Sequence, residues 1–75
     1  MTPSEYLAAL HAAGIPEGLP VLEIDRQAAL LLGVGERTTR RYRNGERKIP
    51  DRTKITLLLL AAQRKAVAAA FEPVP

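Results

Sequence analysis

Glycine and proline punctuation limits what this chain can fold into. Pro3, Gly14, Pro16, Gly18, Pro20, Gly33, Gly35, Gly45 and Pro50 interrupt the first fifty residues at short intervals. Neither a long helix before Pro50 nor an extended sheet fits between them. The remaining segments carry apolar residues at helical spacing, so the chain reads as all-α with short helices. Thr2 can cap a first helix, with Pro3 at its first position and Glu5 three residues on, as in a capping box. Tyr6, Leu7, Leu10 and Ala13 continue it, and Gly14 stops it. Asp25 is expected to cap a second helix, Arg26 to Leu32, packed through Ala28, Ala29, Leu31 and Leu32 and ended by Gly33. A third runs from Glu36 to about Arg43, ended by Asn44-Gly45. A fourth starts near Pro50 and reaches Arg64 or Phe71, ahead of a frayed tail at 72 to 75. Residues 15 to 24 are expected as an extended or irregular connector that lays Leu19, Val21, Leu22 and Ile24 on the core. A short helix entered near Pro20 is the other form open to it. The architecture is thus one compact domain of four helices, or five if the connector forms its own.

Seventy-five residues bury a modest core, so outside support is expected. With no Cys and one His, disulfides and thiolate or histidine metal clusters are excluded. No cofactor or metal is expected. His11 reads as a cation suited to a helix end, and Ser4 as a helix-start residue with no base beside it. Nothing suggests an enzyme. No stretch reads as a signal peptide or membrane span: the apolar run Ile55 to Ala62 falls well short of the roughly 20 residues a span needs. A cytoplasmic, nucleoid-associated location and no membrane partner are the corresponding expectations.

Charge is unevenly spread. Up to residue 36, Arg26 stands against Glu5, Glu17, Glu23, Asp25 and Glu36. From 37 to 54, Arg37, Arg40, Arg41, Arg43, Arg47, Lys48, Arg52 and Lys54 stand against Glu46 and Asp51. Most of the 11 basic residues therefore fall within one short stretch, the footprint of a protein that meets a polyanion.

That stretch overlaps a turn pattern in residues 25 to 43. Ala29 is small enough for a close helix crossing. Gly33, four residues later, tolerates a left-handed turn, and Val34 can plug it. Thr39 and Tyr42 can turn inward, leaving Glu36, Arg37, Thr38, Arg40 and Arg41 outward. The run LLGVGERTTRRYRNGERKIP, Leu31 to Pro50, resembles the Cro and phage-repressor type of helix-turn-helix. It is most similar to small bacterial proteins with the signature LLGVSxRTVRRWxxGxRxIP. The likeness covers about residues 2 to 14 and 25 to 62. Gly35 departs from the usual capping Ser, Thr or Asp, Thr39 from Val and Tyr42 from Trp, and the connector is longer than usual.

The resemblance implies a lambda-repressor-like domain that binds double-stranded DNA sequence-specifically, as a bacterial or phage transcriptional regulator such as a repressor. It implies that Glu36, Arg37, Arg40 and Arg41 reach base edges, with Arg suited to guanine O6 and N7. Glu36 either accepts from a cytosine amine or orients Arg40, the second being favoured. Gln27, Thr38, Arg43, Asn44, Arg47 and Lys48 are expected on phosphates, with Arg52 and Lys54 as weaker candidates. Gln27 enters because backbone amides at the start of the second helix attract anions. Four consecutive leucines, Leu57 to Leu60, point nearly all round the fourth helix, more than one monomer core can cover. A homodimer is expected through Leu57, Leu58, Leu60 and Ala61, extended by Val67 and Phe71. A protein-interaction module that uses this helix, antitoxin-like, is the alternative function. A DNA-binding accessory protein of a phage is another.

Overall fold

The computed structural model describes residues 1 to 70. Among them are four helices and no strand: α1 (Pro3–Ala12), α2 (Val21–Leu32), α3 (Glu36–Asn44) and α4 (Asp51–Ala70). The expected continuation to Phe71 and the tail 72 to 75 lie outside the described residues.

Helix α1 begins as its sequence expects. The Glu5 amide donates to the Thr2 hydroxyl, and the Thr2 amide donates to Glu5 Oε1 at 2.9 Å, closing a capping box. The hydrogen bond from the Thr2 amide, followed by the Thr2 side chain, holds the exposed Glu5 carboxyl below its ordinary value. Tyr6 and Leu10, one turn apart, point into the core. At the other end the chain folds back on itself. The Ile15 amide donates to the Leu10 carbonyl, and His11 Nδ1 lies 2.9 Å from the Ile15 carbonyl, so that nitrogen carries a proton. The buried Ile15 thus closes the open end of α1.

Helix α2 starts earlier than Asp25. Pro20, at φ −57° and ψ 147°, occupies its cap, and Glu23 stands in the first turn. A proline's fixed φ is compatible with a helix entry, and Val21 to Ile24 continue as helix instead of an irregular connector. Only part of the connector reaches the core. Ile24 is buried and Leu19 is half-buried, whereas Val21 and Leu22 are exposed. Asp25 is then no cap but a mid-helix residue on the buried face, with Ala28 and Ala29.

Gly33 ends α2 in the left-handed region, at φ 68°, as the turn requires. Val34 does not plug that turn; it is exposed at its surface. Helix α3 follows from Gly35 and ends at Gly45, also left-handed at φ 76°, with the Glu46 amide closing back to the Arg41 carbonyl. It packs on α2 and α1, and α4 packs on α1. The core gathers Tyr6, Leu10, Ile15, Ile24, Ala28, Tyr42, Ile49 and Leu57. Tyr6 and Tyr42 meet edge to face, centroids 5.8 Å apart at 74°. Such pairs contribute about 0.5–1.5 kcal/mol beyond area burial.

Candidate nucleic-acid interface

Helix α3 is strongly two-faced. Its inward side is Thr39, fully buried, and Tyr42, nearly so. Thr39 has the branched shape of valine with a hydroxyl in place of one methyl, and that hydroxyl is bonded. Its hydroxyl donates at 2.8 Å to the Asp25 carbonyl and lies 3.0 Å from the Glu36 carbonyl, which ties α3 to α2.

A second tie lies one turn on. Arg43 donates from Nε to Asp25 Oδ1 at 2.8 Å and from Nη2 to Oδ2 at 3.0 Å. The Asp25 side chain is 5% exposed and that of Arg43 22%. A carboxylate this deep requires a cation, and the planar guanidinium satisfies both oxygens at once. This hydrogen bonding pushes the Arg43 guanidinium further above its ordinary value. Arg43, expected on a phosphate, is therefore committed to the interior as the partner of Asp25.

The outward side carries Glu36, Arg37 and Arg40, all exposed, and the half-buried Arg41. Glu36 Oε1 faces Arg26 Nε at 3.9 Å, so the ion-pair partner is Arg26 of α2 and not Arg40. Arg26 also lies 3.7 Å from Glu23. These exposed contacts bias side-chain directions and contribute little stability.

Two grooves flank the ridge of α3. One is lined by Leu22, Asp25, Glu36, Arg37 and Arg40. The other includes Gly33, Val34, half-buried Thr38, Arg47, Arg52 and Thr53, between the end of α2 and the start of α4. Asn44, Arg47 and Lys48 are exposed at the end of α3 and beyond it. The structure thus brings Arg37 and Arg40 together on one wall and Thr38, Arg47 and Arg52 on the other.

Gln27 stays apart. Since α2 starts at Val21, Gln27 lies mid-helix, away from any free amides. Its Nε2 donates to Glu23 at 3.3 Å, and it lines a shallow hollow with Ala13, Ile15 and Leu30. Sequence reasoning missed two neighbours of the ridge. Leu22 was assigned to the core but is 73% exposed beside Arg37 and Arg40, and Arg26 holds Glu36. The signal for Leu22 was Pro20, whose cap sets the phase of the helix that follows.

The four leucines of α4 also divide differently from the expectation. Leu57 is fully buried in the monomer core, where α4 packs on α1, so it cannot serve a dimer interface. Leu60 and Ala61 are half-buried beside it, and Leu58 alone of the four expected interface residues is open. Leu59 is open with it.

Among the described residues no group of three His, Cys, Asp or Glu side chains is placed to hold a metal, and no helix is long and apolar enough to cross a membrane. Comparison with protein-family models, curated proteins and solved structures finds no match.

Proposed function

We propose that this chain is a sequence-specific double-stranded DNA-binding protein of the helix-turn-helix, lambda-repressor-like kind, acting as a transcriptional regulator. The carrying observation is the division of α3: Thr39, Tyr42 and Arg43 anchor it to the core and to α2, while Arg37 and Arg40 project from its first turns. A short helix held this way and bearing arginines outward suits insertion into the major groove. Arg37 and Arg40 are the principal base readers, each able to meet a guanine through two parallel hydrogen bonds. Arg41 reads from the wall of the ridge. Glu36, drawn toward Arg26, accepts from a base amine at the helix start. Thr38, Asn44, Arg47, Lys48 and Arg52 hold the backbone phosphates, which fix register without reading sequence.

Selection of duplexes from a random pool, followed by salt titration, tests the reading. A discrete consensus is expected, with affinity falling as salt rises, because neutralised phosphates release counterions. Arg40→Ala should relax one consensus position, at roughly 1–3 kcal/mol of discrimination. Arg47→Ala should weaken all duplexes alike and flatten the salt slope by about one. Failure to bind any duplex at low salt refutes the proposal. Equal loss of specificity from both variants refutes the assignment of roles.

A further inference from the structure

Leu22 is an apolar residue in a charged setting. It precedes Asp25 by three residues and so lies on the same face of α2, one turn beyond the point where Thr39 and Arg43 tie α3 to Asp25. It is 73% exposed, in a groove whose other lining residues, Asp25, Glu36, Arg37 and Arg40, are all charged. Both Asp25 oxygens are engaged by Arg43. Glu36 has one long contact with Arg26, at 3.9 Å, and its carboxylate stays able to accept a hydrogen bond. Among the described residues neither Arg37 nor Arg40 has an ion-pair partner. The groove thus offers one apolar group, one free acceptor and two guanidinium forks. Its volume, about 220 Å³, falls below the roughly 300–1,000 Å³ of small-molecule sites, which suits the edge of a base better than an enclosed ligand.

Resting on the DNA-binding reading of α3, we propose that this groove reads a 5-methylcytosine next to a guanine, with Leu22 meeting the methyl group. In the major groove cytosine shows an amine donor at N4 and guanine shows acceptors at O6 and N7. A methyl group at C5 is met there by apolar side chains, as it is in thymine. C4 and C5 are neighbours on the pyrimidine ring, so an acceptor and an apolar group that share one groove meet amine and methyl together. Thymine offers the methyl but turns its O4 toward the Glu36 carboxylate, and two acceptors repel. Unmethylated cytosine offers the amine but leaves the leucine against water. 5-Methylcytosine satisfies both, and the adjacent guanine satisfies an arginine fork.

Two random duplex pools test this, one built with cytosine and one with 5-methylcytosine in its place. The methylated pool should yield a consensus with that base beside a guanine. The selected duplex should bind about fourfold tighter than its unmethylated counterpart, the effect of burying one methyl group. Thymine at that position should weaken binding about tenfold relative to 5-methylcytosine. Leu22→Ala should erase the difference between methylated and unmethylated duplexes, with the far-ultraviolet dichroism retained because Leu22 is outside the core. Glu36→Gln should bring thymine and 5-methylcytosine close to equal, because an amide can donate to O4 as well as accept from N4. Duplex binding with no preference for the methyl group overturns the proposal, as does a preference that survives Leu22→Ala. Equal binding of thymine and 5-methylcytosine by the native chain overturns it too. If neither pool is bound at low salt, the DNA-binding reading of α3 itself fails, and the role of Leu22 with it.

Discussion

Arg43 holds both carboxylate oxygens of Asp25, at 2.8 and 3.0 Å, across the junction of α2 and α3. Together with the Thr39 hydroxyl on the Asp25 carbonyl, it fixes α3 through one residue of α2. Removing either partner strands the other in a largely dry site. Arg43→Ala should therefore destabilise by about 3 kcal/mol, the lower end for broken buried pairs because Arg43 is partly exposed. Asp25→Asn should cost less, since its amide oxygen still accepts one bond, and Arg43→Lys should restore little because a single ammonium cannot match both oxygens. Denaturant unfolding of the three variants checks the order.

The two left-handed glycines at the ends of α2 and α3 should differ in what they tolerate. A Cβ on Gly33 meets nothing within 4 Å, so Gly33→Ala pays only backbone strain, about 1–2 kcal/mol. A Cβ on Gly45 would come 3.2 Å from Pro3 Cγ of α1. Gly45→Ala should lower the melting temperature further than Gly33→Ala; equal losses would show that Pro3 moves aside freely.

Tyr6 is fully buried, and its hydroxyl meets no hydrogen-bond partner among the described residues. Burial, reinforced by the nearby Asp25 carboxylate, pushes its ionisation well above the ordinary phenol range. An unpaired buried hydroxyl costs about 1–3 kcal/mol. Tyr6→Phe keeps the ring and its edge contact with Tyr42, so unfolding should show unchanged or increased stability. A clear loss would mean that the hydroxyl has a partner.

Acid should weaken the start of α1. Hydrogen bonds from Thr2 hold Glu5 below its ordinary value of 4.5. A carboxylate lowered on folding adds stability above the unfolded value, and that contribution fades as pH falls through the folded one. The stability difference between the native chain and Glu5→Gln should thus be constant near neutrality and shrink as pH drops below about 4.5. Thermal melts across that range measure it.

Local chemistry made much of this fold readable. The Thr2–Glu5 capping box, the left-handed turns at Gly33 and Gly45, and the inward Thr39 and Tyr42 all depend on residues close in sequence. What escaped depends on phase and on distant partners. Asp25 looks like a cap because Asp commonly is one; its burial follows only once Pro20 has started α2 and brought Arg43, eighteen residues away, within reach. Leu57 to Leu60 read as equivalent on a wheel, and only the seating of α4 on α1 decides that Leu57 goes in while Leu58 and Leu59 stay out. The same dependence removed Gln27 from the basic surface and placed Leu22 beside it.

The Tyr6–Tyr42 contact gives the protein a built-in optical probe. The chain has two tyrosines and no tryptophan, and both tyrosines sit in the core, one on α1 and one on α3. Near-ultraviolet dichroism from phenol rings therefore reports how α3 is seated against α1. A ligand gripping the exposed arginines without moving α3 should leave that spectrum unchanged, whereas any reseating of the helix should be visible without a label.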